Sequence, residues 1–331
     1  MNKAFLKKIV PVRIQALYKA IITIKVYWYD IKRIVRVTLS EKYAEQRFKR
    51  DLSVLYHRVE KGLTMPEIRE GFGSKLISDL INQISIYEKK GFQIKTLEYI
   101  QAVSVVNEYI HFHKGINYIF DPEFTHKLSQ FERRYSDIKG VNQIKTTRDK
   151  YFLHNEAPFE VFSISRHSVR NYTNKEIPLS IIENCITIAQ TSPSFCNRQP
   201  SRVHIVKSKN KKAETLRLQG GNRGFGHLAD TILVVTSVIS TTIGPTDRYA
   251  NHLNSGMFCM NLLYALHYNK IGACSLNWSV TNDRDQQLRD LLEIRDNEFV
   301  VMVITCGYVP DNFMLASSPR LKADEISYYH N

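Results

Sequence analysis

The chain has 331 residues, 43% of them hydrophobic, enough to bury a substantial core and to build two domains. That composition excludes a disordered chain. The formal charge of +14 points to an anionic partner, whether nucleic acid, anionic lipid or a phosphorylated ligand, and does not choose among them.

The five cysteines, Cys185, Cys196, Cys259, Cys274 and Cys306, all lie in the second half, and none forms a C-x-x-C pair. Their odd number and spacing read as reduced, intracellular thiols. Charged residues interrupt every apolar run well before the roughly 20 residues that a bilayer core requires, and no stretch resembles a signal peptide. The expected location is cytoplasmic or peripheral at the inner face of the membrane.

From Phe5 to Leu39, large apolar residues alternate with Lys7, Lys8, Arg13, Lys19, Lys25, Lys32, Arg33 and Arg36, against the single acid Asp30. Two readings are open. The segment is either a packed helix with a solvated basic face or an amphipathic helix lying on an anionic membrane, with Trp28 and its neighbouring tyrosines at headgroup level. Three later segments end in Lys-Gly, at Lys61-Gly62, Lys90-Gly91 and Lys114-Gly115. A cation in the last turn followed by a left-handed glycine is a helix stop. It predicts helices near Asp51 to Lys61, Ser74 to Lys90 and Thr96 to Lys114, with Ser74 and Thr96 as N-caps. Ile77, Leu80, Ile81, Ile84 and Tyr87 trace one apolar face. The first half therefore reads as an all-α domain.

The pairs His57/Glu60 and His111/His113 raise a metal site, but residues two apart on a helix face different ways and nothing completes the ligand set. No metal is expected. The stretch His57-Arg58-Val59-Glu60-Lys61-Gly62-Leu63 reads instead as a polar helix end that docks on another part of the chain. Periodicity fades after Ser136, which places the domain boundary at residues 1–145 and 146–331.

The second half alternates strands and helices. Pro178 opens a helix to about Gln190. Val203 to Val206, Thr231 to Thr236 and Phe299 to Tyr308 read as strands, and a long helix runs from about Asn251 to Asn269. Gly221, Gly224 and Gly226 are misordered for a dinucleotide loop and are followed by a strand, so they read as a flexible loop, with Phe225 and His227 as lid contacts to a substrate.

Two clusters carry chemistry. Arg166-His167-Ser168-Val169-Arg170 gathers positive charge, a hydroxyl and guanidinium donors suited to a phosphate. Pro193-Ser194-Phe195-Cys196-Asn197-Arg198-Gln199-Pro200 is a rigid turn whose amides suit a flat heterocycle. These two blocks, with Asn261 to Leu266, Gly272-Ala273-Cys274 and Gly307-Tyr308-Val309-Pro310 followed by Arg320, resemble the nitroreductase family of FMN-dependent oxidoreductases from about Ser163 to the C-terminus. The N-terminal extension is similar to one on nitroreductase-like proteins associated with surface-polysaccharide genes.

The resemblance implies an α+β fold, a mixed sheet flanked by helices, in a homodimer with FMN at the interface. It implies that Arg166, His167, Ser168 and Arg170 hold the phosphate and ribityl chain, with Arg320 beside the phosphate. It also implies that Pro193, Ser194, Phe195 and Asn197 reach the ring from the other subunit, and that Leu276-Asn277-Trp278 runs past the flavin N5. NAD(P)H would be a transient co-substrate, and no side chain need act as nucleophile. Ser201 and Ser318 depart from the aromatic and basic residues common at those positions. An oxidase of a bound metabolite and a non-catalytic membrane-associated protein are the alternatives, and nucleic-acid binding is not expected because no reading motif accompanies the charge.

Overall fold

A computed structural model describes residues 11–140 and 142–330. Phe5, Lys7 and Lys8 of the basic stretch lie outside the described residues. Helix α1 spans Val12–Leu39, and α2 (Ala44–Gly62), α3 (Ser74–Lys89), α4 (Leu97–Gly115) and α5 (Pro122–Tyr135) follow. Among these, α2 packs on α3 and α4, and α5 closes the group against both. Leu52, Val59, Ile77, Leu80, Ile84, Tyr87, Val103 and Val106 form its core, all fully buried. The helical spacing read from Ile77 to Tyr87 is thus an inward face, with Ile81 only partly buried beside it.

The three Lys-Gly endings differ in the structure. Gly91 alone takes the left-handed conformation, at φ +71°. Gly62 and Gly115 remain the last helical residues, and Asn117 supplies the positive φ after α4. Gly62 is required for another reason: a Cβ there would sit 2.4 Å from the Phe72 ring. Ser74 is the first residue of α3 rather than its cap, and its hydroxyl donates to the Gly71 carbonyl.

Helix α1 is tied to the second half of the chain through one buried carboxylate. Asp30 accepts from the Arg248 guanidinium, whose plane also lies over the Tyr249 ring. On the opposite side of the helix, Leu17, Ile21, Ile24, Trp28, Ile31 and Val35 are exposed. Among the described residues no helix is long and apolar enough to cross a membrane.

The remaining chain is an antiparallel sheet between two apolar layers. Its strands β2 (Ser201–Val206), β3 (Thr231–Val238), β4 (Gly272–Asn277) and β5 (Glu298–Gly307) take the order β2-β3-β5-β4, and each pairing is antiparallel. All eight residues of β3 are buried because the sheet is covered on both faces. Leu233 and Val235 enter one layer, beneath α7 (Leu179–Ala189) and α9 (Ala250–Tyr268). Ile232 and Val234 enter the other, with residues of α8 (Lys209–Gln219) and α10 (Asn282–Leu292). Period-two alternation sorts adjacent residues into the two cores. A separate pair joins β1 (Gln143–Thr147) to β6 (Asn312–Ala316), and β1 straddles the expected boundary at residue 145. The class is α+β, with an all-α segment preceding the sheet and α6 (Phe159–Ser165) leading into the first chemical cluster.

Glu88 joins α3 to α4 and α5. Its Oε1 accepts from the Tyr99 and Tyr135 hydroxyls, the latter at 2.8 Å, and its Oε2 accepts from Arg134 at 2.6 Å. Both phenols are buried, and burial followed by the Glu88 hydrogen bond pushes the Tyr135 hydroxyl up to about 12. Glu88→Ala leaves both hydroxyls without this acceptor and is expected to lower stability by about 2–3 kcal/mol, with Glu88→Gln losing less. Urea midpoints of the three proteins measure the difference.

Candidate functional site

The first cluster is extended chain strapped to the sheet edge. The Val169 N–H donates to the Ala273 carbonyl on β4 at 2.9 Å, and the Val169 side chain is fully buried in the core. The Tyr151 hydroxyl donates to the His167 carbonyl at 2.8 Å, and the Tyr172 hydroxyl to the Val169 carbonyl at 2.7 Å. Pinned at three points, residues 166–170 alternate, which turns Arg166, Ser168 and Arg170 away from Val169.

Of these, Arg166 and Ser168 meet a cavity of about 490 Å³, which is also lined by His167, Met260 and Tyr264 and by the segment Ala316 to Arg320. Arg170 is 7% exposed, and its Nε and that of Arg166 have no hydrogen-bond partner among the described residues. A buried guanidinium is stable only when its donors and charge are answered, so these two call for an anion or a ring edge. Arg320 lies at the mouth, with a guanidinium N–H donating to the Ser318 carbonyl. Ser318 has φ +45°, and its N–H donates to the Glu60 carboxylate at 3.2 Å. Glu60 is itself 1% exposed and is held by His57 at 3.1 Å. The end of α2 thus props the loop that carries Arg320.

Lys61, the next residue, donates to the Gly221 carbonyl at 3.1 Å. The helix end does dock on the second half of the chain, through Glu60 and Lys61. The Gly221 to Gly226 segment is not a lid over substrate through Phe225, whose ring is fully buried in the core. His227 remains exposed.

The second cluster lies apart from the cavity within one chain. Phe195 donates its N–H to Asn254 Oδ1 at 3.1 Å, Arg198 pairs with Asp247 at 2.8 Å, and the Gln199 N–H donates to Ser194 Oγ at 3.0 Å. Cys196, Asn197 and Gln199 all have positive φ, so the turn is strained as well as proline-bounded. Pro193 and Ser194 line a small separate cleft, while the Phe195 ring is 43% exposed. At the end of β4, Leu276 is buried and the exposed Asn277 gives its carbonyl to Gln219. The Trp278 indole N–H is taken by Asp285 at 2.7 Å, so its side chain is structural. No group of metal-ligating side chains is present among the described residues.

With this geometry in place, comparison with known proteins defines the class. Residues 164–220 and 212–308 match the model of the Nitroreductase family, and this part of the chain is nitroreductase-like in sequence and fold. The iodotyrosine deiodinase of Hydra vulgaris is 25% identical over 221 residues, covering 58% of this chain and 76% of that protein. An Archaeoglobus fulgidus protein provisionally named NADH dehydrogenase/NAD(P)H nitroreductase is 27% identical over 150 residues, covering 44% of this chain and 83% of its own length. A solved Exiguobacterium sibiricum structure, provisionally named a nitroreductase in complex with FMN, is 16% identical with a TM-score of 0.47, covering 53% of this chain and 98% of that one.

Sequence reasoning missed the residues that brace the cluster. His267 of α9 sits at 2.9 Å from Ser165 Oγ, among the rings of Tyr151, Phe152 and Phe162. Burial, then the Arg166 and His167 charges, push it down to about 3. The unfolded chain takes up this proton near pH 6.5 and the folded one does not. Stability is therefore expected to fall as the pH drops from about 6.5 towards about 3, and to be flat in this residue above that window. Urea midpoints across the window, compared with those of His267→Gln, measure the slope that the histidine contributes.

Proposed function

We propose that the chain is an FMN-dependent oxidoreductase that takes reducing equivalents from NAD(P)H and delivers them to a small-molecule acceptor. The observation that carries this is the cavity beside β4, where Arg166, with an unanswered buried Nε, meets His167, the Ser168 hydroxyl and Arg320, while Arg170 buries a second unanswered Nε on the same strap. The donor set fits a phosphorylated ring: Arg166, His167, Ser168 and Arg320 suit the phosphate and ribityl hydroxyls, and Arg170 suits the electron-rich ring edge. Bound FMN supplies the redox chemistry, accepting two electrons from the nicotinamide and passing them to the acceptor. The chain's own task is then to bind, orient and charge-balance the ring. The family match over residues 164–308 and the name of the Archaeoglobus relative support this reading.

The same reading takes the active form to be a homodimer. Helix α9 exposes Leu253, Met257, Met260 and Tyr268 along one face, and Met260 also lines the cavity. Pairing through this face would bring the Pro193, Ser194, Phe195 and Asn197 turn of the second protomer towards the ring, with the backbone of Leu276-Asn277-Trp278 alongside it.

Reconstitution tests the function directly. The purified protein is expected to take up FMN stoichiometrically and to lose its yellow colour anaerobically with NADH or NADPH. Arg166→Ala and Arg170→Ala should each weaken FMN binding by about ten-fold or more, since a charge-assisted hydrogen bond contributes about 1.5–3 kcal/mol. Failure to bind FMN at all discards the reading, and bound FMN that neither nucleotide reduces discards the NAD(P)H half of it.

A second part of the proposal concerns α1. Its exposed apolar face, with the Lys32 ammonium over Trp28 and the Arg33 guanidinium over Tyr29, suits an anionic membrane surface. At low salt the protein is expected to float with phosphatidylserine-containing vesicles and not with pure phosphatidylcholine vesicles. Protein that stays at the bottom of both gradients rules the surface out.

A further inference from the structure

Residues Ser318 to Arg320, just after β6, form a wall shared by two cavities. On one side is the cavity beside β4 that Arg166 and Ser168 enter. On the other is a cavity of about 310 Å³, lined by Tyr56, His57 and Glu60 of α2 and again by Ser318, Pro319 and Arg320. A loop with open space on both faces is held by its hydrogen bonds more than by apolar contact. Such bonds reach it from the helical segment and the linker that follows. The Ser317 N–H donates to the Asn142 carbonyl at 2.9 Å, and the Asn142 side-chain amide donates to the Ser104 hydroxyl of α4 at 2.8 Å. The Ser318 N–H donates to Glu60 Oε1 at 3.2 Å.

Ser318 couples Glu60 to Arg320. Its φ of +45° is a left-handed conformation, which a residue with a Cβ keeps only when its surroundings fix it. The Ser318 N–H points to Glu60, while the Ser318 carbonyl accepts from the Arg320 guanidinium. Rotation about φ sets the angle between those two groups. Relaxation to negative φ would therefore swing the carbonyl that anchors Arg320. Glu60 is well placed to prevent this, because at 1% exposure water does not compete for its oxygens. Its Oε2 lies 3.1 Å from His57 Nδ1, so each carboxylate oxygen has its own partner and the group is fixed in tilt as well as position. Glu60 does not line the cavity beside β4 and can act there only through the loop.

We infer that Glu60 is a positioning residue for the cofactor phosphate: by holding Ser318 it aims Arg320, and the helical extension thereby sets how strongly the site prefers a phosphorylated flavin to an unphosphorylated one. The inference rests on the flavin reading, since FMN is what would bring a phosphate to Arg320.

FMN and riboflavin differ only in the phosphate, so the ratio of their affinities reads the phosphate contact, and riboflavin affinity alone reads the rest of the site. Both are titrated into the flavin-free full chain by quenching of flavin fluorescence. Arg320→Ala is expected to lower the preference for FMN by about ten-fold, the loss of one charge-assisted contact, and Glu60→Ala to lower it by a similar factor with riboflavin affinity unchanged. Glu60→Asp keeps the charge but shortens the reach and should also lower the preference. Glu60→Gln keeps the reach and should hold the wild-type value. In Glu60→Ala/Arg320→Ala the two losses should not add, because one residue acts through the other. Should Glu60→Ala fail to fold, the Asp and Gln variants decide alone. The inference is overturned by a ratio that Glu60→Ala or Glu60→Asp leaves unchanged, by equal weakening of both flavins, by a Glu60→Gln protein that loses the preference, or by losses that add in the double variant. Wild-type protein that takes up neither flavin ends the flavin reading and the inference with it, whereas bound FMN with an unmoved ratio ends the inference alone.

Discussion

The strap between Val169 and β4 is the constraint on which the site depends. One backbone hydrogen bond and one fully buried valine hold five extended residues against the sheet edge, and two tyrosine hydroxyls take the carbonyls on either side. The free energy for this comes from the core, since Val169 lies in the same apolar layer as Tyr151, Tyr172 and Phe313. Arg166 can then be carried into the cavity and Arg170 buried beside it, each with an Nε that no described residue answers. Packing holds the backbone, and the backbone aims charge that would otherwise turn to water.

The second support comes from far away in the chain. Glu60 and Lys61 are adjacent on α2, yet one props the Ser318 to Arg320 loop and the other ties down the Gly221 loop. The helical segment is thus part of the architecture of the site and does more than precede it. Its own integrity depends on buried polar joints such as Glu88 between two phenols, because a helix end can position a charge only as well as its neighbours hold the helix.

Much of this was legible in the chain because it was local. Arg-His-Ser-Val-Arg shows both the alternation and the donors, and Ile77 to Tyr87 shows a helical face by spacing alone. Thr231 to Thr236 announces a strand buried on both sides by having no polar face. What stayed hidden was long-range. The Tyr151 and Tyr172 hydroxyls look like any aromatic residue in sequence, and their partners His167 and Thr305 lie 16 and 133 residues away. The Lys-Gly endings misled where tertiary contact overrode the stop signal: Gly62 is small for Phe72, not for a left-handed turn. Strands β1 and β6 were missed because they are short and pair only with each other, so neither carries the apolar run that marks a central strand. Phe225 looked free for a substrate because a glycine loop suggests mobility. The hydrogen bonds that order that loop run from side-chain amides to backbone and leave no pattern in the sequence.

Positive charge in the site is also kept from becoming excessive. His267 stands within reach of Arg166 and His167 and would add another cation if it titrated normally, but burial among aromatic rings holds it neutral at physiological pH. It can therefore brace Ser165 without repelling the arginines. The guanidinium groups of Arg166, Arg170 and Arg320 do not titrate, so their charge is there for an anion to answer whatever the pH.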